Sequence, residues 1–399
     1  MAIIHPFKAW HPSPDQVKDV SCPPYDVIST AEARDAAKDN PKSFLHVVRP
    51  EIDLPKGTAF NADSVYKKGA ENLTALMDEG VLEQDANQAL YIYQLEWKGR
   101  KQTGIFGCVS VDDYNNDIIL KHELTRPVKE DDRTRHIVDQ QAHAEPVMLT
   151  CKDDVGMGDF AHSFIQNNDA LFDFVTPDNI THRVWKVIDT ESLIDAFGQL
   201  NHLYIADGHH RCKAASRAAE QMQGNEKAQF FPAVIFPMAE MKILPYNRVV
   251  FNVPDDFKST LKEQFEVQEN ADPTPAQKGT VCLYINGEWL KITLPESDNP
   301  SAVEQLDTYR MQHFILEPML GIEDPRTNKN IDFVGGIRGT KELEKRVDSG
   351  EANLGISMYP TAIEELVHVS DQGLLMPPKS TWFEPKLRSG LLVHTFKTE

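Results

Sequence analysis

Leu203-Tyr-Ile-Ala-Asp-Gly-His-His-Arg-Cys-Lys-Ala-Ala-Ser-Arg-Ala-Ala219 is the stretch on which the reading of this chain turns. Leu203 to Ala206 are mostly apolar and predict a short buried strand. Asp207-Gly208 is a turn signal. From Arg211 onward, an alanine-rich run to Met222 predicts a helix. Asp207, Gly208, His209, His210 and Arg211 therefore fall at a strand–turn–helix junction. The N-terminus of a helix presents backbone N–H groups and the positive end of the helix dipole. Two histidines and an arginine at that point predict an anion pocket, with phosphate as its occupant. Asp207 adds a carboxylate that can bind a metal ion or accept a proton.

The chain has 399 residues, 41% of them hydrophobic, enough for a sizeable core and for two or three domains. No apolar run approaches the roughly 18 residues of a membrane span. The opening Met-Ala-Ile-Ile-His-Pro-Phe lacks the pattern of a signal peptide, so the cytoplasm is the expected location. The five cysteines are scattered without a C-x-x-C pair, which supports neither a disulfide framework nor a zinc ribbon. Cys212, beside the central motif, reads as a small buried residue. The formal net charge of −20 is spread along the chain. Nucleic acid is not an expected partner, because duplex binding requires a positive face. In so acidic a protein, each local Arg–His cluster carries more information.

Outward from the central stretch, Ser21-Cys-Pro-Pro-Tyr-Asp-Val-Ile28 predicts a proline-stiffened loop leading into a helix capped by Ser29 or Thr30. Tyr25 and Asp26 on that loop are candidates for a pocket wall. Residues 59–80 predict an amphipathic helix, and 89–97 with 102–111 a β-hairpin. The short strand at 118–120 runs into a polar segment containing His122, Glu123, Thr125, Arg126, Lys129, Asp132, Arg133 and Arg135. Clustered acid, base and cation groups at a strand end make a candidate active site. Position 126 is arginine, so H-E-x-x-H is not completed and a zinc protease is not supported. Residues 180–188 predict an alternating strand whose His182 and Arg183 point at a shared site or at solvent, with solvent the favoured reading. A helix at 190–200 precedes the central strand, and strands are predicted at 231–237 and 241–251. Beyond a boundary near 252–256, Asn286-Gly287 marks a hairpin, 306–320 a helix, and 332–337 and 354–359 strands around a helix at 340–349. Near the end, Lys379, Ser380, Thr381, Lys386 and Arg388 gather anion-binding side chains on a proline-stiffened loop. The glycines of a phosphate loop are missing there.

Four motifs occur in order: Pro23-Pro-Tyr-Asp-Val, His122-Glu-x-Thr, Ala206-Asp-Gly-His-His-Arg and Met376-Pro-Pro-Lys-Ser-Thr-x-Phe-x-Pro-Lys. Together they resemble a large, long-uncharacterised prokaryotic domain-of-unknown-function family over essentially the whole chain. The Asp-Gly-His-His-Arg element also resembles the phosphate-handling motif of the ParB/sulfiredoxin superfamily, and the doubled histidine is most similar to its free L-serine kinases. The resemblance implies an α+β fold: a mixed sheet with a ParB-like strand–turn–helix and a C-terminal α/β subdomain. The expected regions are 1–115, a phosphate-handling core at 116–251, and 252–399 contributing the Met-Pro-Pro-Lys-Ser-Thr loop.

The activity that this resemblance implies is transfer of a phosphoryl group to L-serine from pyrophosphate or a nucleotide. Gly208, His209, His210 and Arg211 would hold phosphates, with Lys379, Ser380 and Thr381. Asp207 would bind a magnesium ion. Glu123, with His122, would be the base for the hydroxyl, and Asp207 and His210 are counted with them as catalytic. Tyr25, Asp26 and Lys386 would meet the substrate. The implied partners are small molecules, a phosphate donor and an amino acid. Two other readings stand beside it: an O-phosphoserine phosphatase working by the same residues, and, from another class, a nucleotide-sensing ParB-like regulatory protein, against which the acidic charge counts. Cysteine is absent from the place it holds in the sulfiredoxin motif, which disfavours sulfinic-acid reduction. The four motifs are expected to converge on one cleft.

Overall fold

The computed structural model describes residues 1–397, and the chain divides into two compact units. The first holds Met1–Lys121, Thr125–Met241 and the C-terminal segment from Pro385; the second holds His122–Leu124 and Lys242–Glu384.

The first unit is built on a nine-stranded sheet. Its strands are β1 (Ile4–His5), β2 (Leu90–Trp97), β3 (Arg100–Ser110), β4 (Ile119–Leu120), β5 (Val147–Cys151), β6 (Phe172–Val175), β7 (Thr181–Val187), β8 (Leu203–Asp207) and β9 (Phe230–Pro237). The order across the sheet is β4-β8-β5-β9-β3-β2-β7-β6, with β1 also on β3. β8 is parallel to β4 and β9 is parallel to β5, while the other pairs are antiparallel. The sheet is thus mixed, and the fold is α+β. Strands from both sides of residue 116 enter it, because β9 pairs along β3. Residues 1–115 therefore share one core with the central stretch.

Six helices of this unit frame the sheet and the central junction: α1 (Thr30–Ala37), α2 (Asp63–Asp78), α3 (Pro127–Gln140), α4 (Met157–Asn167), α5 (Glu191–Phe197) and α6 (His209–Gln221). Ser29 and Glu32 form a reciprocal capping box at the start of α1. Pro127 opens α3, where its missing N–H costs no helical bond. On one face of the sheet, Met157, Ala161, Leu193, Phe197, Cys212, Ala215 and Ala219 pack on Ile92, Ile105, Val147, Leu149, Ile205 and Ile235. Full burial of one such branched or aromatic side chain is worth about 1.5–3 kcal/mol. Cys212 is fully buried, and burial pushes its thiol up to about 12. A second cluster joins Tyr25, Ala33, Phe44, Leu45, Leu73 and Leu76 to Val393, and so ties the loop before α1 to the end of the chain.

His182 departs from expectation. It is 1% exposed, and its Nδ1 lies 2.8 Å from the Tyr93 hydroxyl. The alternation of β7 is readable in sequence, but both faces of the sheet are covered here: Trp185 and Val187 face the helices, and His182 packs against Phe174 and Tyr93. Arg183 pairs with Glu96 at 2.8 Å and Asp173 at 3.1 Å.

The second unit carries an antiparallel sheet of β10 (Tyr246–Val250), β11 (Val267–Glu269), β12 (Thr280–Ile285), β13 (Glu288–Thr293), β14 (Ile331–Gly335) and β15 (Leu354–Met358), in the order β11-β13-β12-β15-β10-β14. Asn286 and Gly287, both at positive φ, turn the β12–β13 hairpin as their sequence predicts. One face buries Phe257, Leu261, Met311, Ile315 and Leu316, and the other Leu343. The helix expected over 306–320 is α-helical at Asp307–Met311 and Glu317–Leu320, with a π-helical turn at Gln312–Leu316 between them. Pro318 has no N–H to donate, so a regular α-helical ladder cannot run through this point. The strand expected over 241–251 breaks at Pro245. Ile243–Leu244 pairs with Trp382–Phe383, and the main sheet begins at Tyr246. Among the described residues, no helix is long and apolar enough to cross a membrane.

Candidate functional site

β8 ends at Asp207 and α6 begins at His209, with Gly208 between them at φ +107°. A β-carbon on Gly208 would lie 3.0 Å from Arg211 Nε and 3.1 Å from Val147 Cγ1. Both the left-handed backbone and the close approach of Arg211 call for glycine here. The predicted strand–turn–helix is present in full.

Asp207 is the hub of the junction. Its Oδ1 accepts a hydrogen bond from Lys386 Nζ at 2.9 Å, and its Oδ2 accepts one from Arg211 Nη2 at 2.6 Å. Burial alone would raise the Asp207 carboxyl. Lys386 and Arg211 outweigh that effect and hold it well below the usual carboxylate range. Each Asp207 oxygen already faces a cation, so a magnesium ion at this carboxylate would share it with Lys386 and Arg211. The arrangement fixes two positive groups beside a helix N-terminus.

Arg211 is 8% exposed, and its Nη1 donates to the carbonyl of Pro146. Although burial opposes its charge, Asp207, Asp26 and Glu145 hold the guanidinium firmly protonated. His209 is buried and His210 half-buried. The Arg126 N–H donates to His210 Nε2 at 3.0 Å. In the neutral ring this places the proton on Nδ1. His210 thereby holds the residue that leads into α3.

Tyr25 and Asp26 meet this junction from the N-terminal loop. The Tyr25 N–H donates to Glu145 Oε1 at 3.1 Å, and Arg49 Nη1 donates to the Tyr25 carbonyl at 2.9 Å. Arg133 lies over the Tyr25 ring at 4.0 Å and binds Asp132 through Nε and Nη2. Asp26 is exposed. Three motif segments thus gather in the first unit: Pro-Pro-Tyr-Asp, Ala-Asp-Gly-His-His-Arg, and the Pro-Lys that closes the last motif.

Glu145, Arg388 and Ser389 organise the same region, although in the sequence only Arg388 stands out, as one of the anion-binding types. Glu145 Oε1 also accepts from the Ser389 hydroxyl at 3.0 Å. Burial raises the Glu145 carboxyl, against the pull of Arg211 and Arg133. Arg388 donates to Ser21 Oγ at 3.2 Å and also to the Ser21 carbonyl, which ties the last segment to the first loop. The sequence signal for this tie is Arg388-Ser-Gly390. Gly390 has φ +79°, and a β-carbon there would lie 2.6 Å from Phe44 Cγ.

His122, Glu123, Lys379, Ser380 and Thr381 belong to the second unit. The carbonyl of His122 accepts from the Met376 N–H at 2.8 Å, so the second and fourth motifs meet there. Ser380 is buried, with its hydroxyl bound to the Pro377 carbonyl at 2.7 Å and to Thr308 Oγ1 at 2.9 Å. Lys379 is left-handed at φ +59°, and its Nζ lies 5.2 Å from the centre of the Tyr246 ring.

The molecule is an α+β protein whose first unit carries a strand–turn–helix with paired cations at the helix start. Residues 4–309 match the family described as protein of unknown function (DUF1015), and the chain belongs to that family. The Met-Pro-Pro-Lys-Ser-Thr loop lies beyond the matched segment. No curated protein matches the chain. Among solved structures, it is similar to a free serine kinase in complex with AMP, at 12% identity and a TM-score of 0.38, over 72% of this chain and 92% of that one. It is similar to a conserved hypothetical protein from Pyrococcus furiosus at 15% identity and a TM-score of 0.36, over 72% and 95% of the two chains. It is also similar to SbnI with a C-terminal truncation from Staphylococcus aureus, at 13% identity and a TM-score of 0.39, over 72% and 87%.

Proposed function

We propose that this protein is a phosphotransferase acting on a small hydroxyl substrate, with L-serine as the acceptor that its motifs imply. The observation that carries this reading is the holding of Lys386 and Arg211 by one carboxylate, Asp207, at the start of α6. Phosphoryl transfer asks little covalent chemistry of a protein. It needs fixed positive groups around the equatorial oxygens and a positioned acceptor. Arg211 is too well buried to move far, so it acts as a fixed charge. Lys386 lies on the segment from Pro385 and is the more adaptable of the two. Asp26, exposed beside Tyr25, is suited to an ammonium group. Magnesium, if used, is expected to enter on the donor's phosphates, because Asp207 is committed to its two cations.

Phosphorus NMR tests the reading. Purified protein is incubated with magnesium and L-serine in separate tubes of pyrophosphate, ADP and ATP, and a fourth tube holds O-phosphoserine alone. New O-phosphoserine from one donor, lost in Lys386→Met, supports the proposal and names the donor. The same assay on Glu123→Gln tests the base that the motif resemblance implies. Free phosphate from the fourth tube alone would replace the kinase reading with a phosphatase. No turnover in any tube would remove L-serine as the acceptor.

A further inference from the structure

The second unit carries an open hollow of about 410 Å³ that the proposed phosphotransferase chemistry does not use. Thr308, Gln312 and Leu316, four residues apart along one helical run, line one side. Leu375, Met376, Pro377 and Pro378, the approach to and start of the fourth motif, line another. Arg248 of β10 lines it as well, and Asp324 and Arg326 complete it on a polar side. The volume falls in the range of small-molecule sites, as does the mixture of apolar wall and few polar groups.

Two features of the lining are costly unless something binds. Arg248 is 3% exposed, yet among the described residues no carboxylate pairs with it. Its guanidinium donates only to backbone carbonyls, those of Tyr246 and of Lys379, and lies 5.6 Å from the Phe333 ring centre. Burial brings it down to about 10, with only the Tyr246 phenol pulling the other way. Arg133, Arg211 and Arg310 are similarly buried, and each faces a carboxylate. A buried charge held by backbone carbonyls alone, with no carboxylate opposite it, keeps part of its desolvation cost. The second feature is Gln312. Its Nε2 donates to the carbonyls of Ile322 at 2.7 Å and Glu323 at 3.1 Å, which fixes the orientation of the amide. Its Oε1 is buried and has no partner among the described residues. An orphaned acceptor of this kind also costs free energy.

We propose that this hollow binds a small carboxylate that also carries an N–H donor and an apolar body, the chemistry of an apolar α-amino acid. The carboxylate answers the planar fork of Arg248. The N–H donor answers Gln312 Oε1. The apolar body lies against Leu316, Leu375, Met376 and the two prolines. A doubly charged phosphate is a poorer match, because Glu323 and Asp324 also line the hollow. The site stands independently of the phosphotransferase reading, since none of its lining residues is one that the reading uses.

The test is isothermal titration of the full chain with L-leucine and L-phenylalanine, alongside 4-methylpentanoate, 3-methylbutylamine and inorganic phosphate. Binding by an amino acid is expected, at least 10-fold weaker for 4-methylpentanoate and lost for 3-methylbutylamine. Arg248→Met is expected to lose at least 10-fold in affinity while its unliganded melting temperature stays level or rises, since an unpaired charge has been removed. Gln312→Met serves as a second variant and is expected to narrow the gap between L-leucine and 4-methylpentanoate. The proposal is overturned if neither amino acid binds, if Arg248-dependent binding is seen with phosphate alone, or if Arg248→Met melts several degrees lower with amino-acid binding unchanged. The last result would make Arg248 a purely structural tie between the Tyr246 and Lys379 carbonyls.

Discussion

Lys386 Nζ lies 2.9 Å from Asp207 Oδ1 across 179 residues of sequence, and the same carboxylate holds Arg211 at 2.6 Å. The pair makes the final segment of the chain part of the strand–turn–helix rather than a tail. Asp207→Asn is expected to destabilise the fold by about 3 kcal/mol, because Lys386 and Arg211 would be left beside a neutral amide. Lys386→Met in the Asp207→Asn background should cost less than it does alone, with a coupling of about 1–3 kcal/mol by urea unfolding. The pH dependence has a definite sign. A carboxyl depressed in the folded state contributes its full stability above the ordinary carboxylate range and loses it as pH falls through the depressed value. This contribution should therefore persist through mild acid.

Gly208 offers a second, more local test. Gly208→Ala places a β-carbon 3.0 Å from Arg211 Nε on a backbone at φ +107°. A non-glycine residue in such a conformation costs about 1–3 kcal/mol. If the proposed function holds, the displaced Arg211 should also weaken phosphate binding. A thermal melt together with a phosphate titration checks both, and an unchanged phosphate affinity would separate Arg211 from the anion site.

Much of this fold is legible in the sequence because its signals are local. The capping box at Ser29, the Asn286-Gly287 turn and the glycine between Asp207 and His209 each rest on residues adjacent in sequence. The alternation of β7 is equally readable. What it does not reveal is that His182 meets Tyr93, 89 residues away, on a face that is also covered. The site follows the same rule. Asp207, Arg211 and Lys386 carry charge in recognisable motifs. Glu145 looks like an ordinary strand-leading residue until its bonds to Tyr25 and Ser389 are seen, 120 and 244 residues distant. The surroundings of the Met-Pro-Pro-Lys-Ser-Thr loop are hidden for another reason. Its lysine and serine suggest phosphate binding, whereas the Ser380 hydroxyl is bonded within the fold and the loop's prolines line a hollow.

Glu145 separates the worth of a hydrogen-bond acceptor from the worth of a charge. Its Oε1 accepts from the Tyr25 N–H and the Ser389 hydroxyl, and its Oε2 lies 3.7 Å from Arg133. Burial raises its carboxyl. Glu145→Gln preserves an acceptor and is expected to change stability at pH 7 by no more than about 1 kcal/mol. Glu145→Ala strands both donors and should cost about 2–4 kcal/mol. Equal losses in the two variants, measured by denaturant unfolding, would mean that the charge facing Arg133 and Arg211 is what matters.

His143 and His394 predict how the last segment responds to acid. Their rings lie parallel, with centres 6.1 Å apart, where Ala142–His143 pairs with His394–Thr395. His394 Nε2 bonds the carbonyl of Lys227 at 2.9 Å. Burial brings His394 down to about 4, with the Lys227 bond opposing and the Lys227 charge adding to the fall. His143 is lowered well below its ordinary value by burial, with His394 adding to the effect. A histidine depressed in the folded state takes up its proton first in the unfolded chain. Its stabilising contribution is complete above about pH 6.5 and is lost as pH falls toward the folded value. For His394 alone, the loss between about pH 6.5 and 4 is roughly 3 kcal/mol. The flanking groups, Phe7, Phe231 and Phe396, carry no charge to offset a second positive ring. His394→Gln keeps a donor for the Lys227 carbonyl and cannot be protonated, so its melting temperature should depend less on pH across that window. A wild-type profile that is flat from pH 7 to 4.5, or a variant profile as steep as the wild type, would place the acid sensitivity elsewhere in the fold.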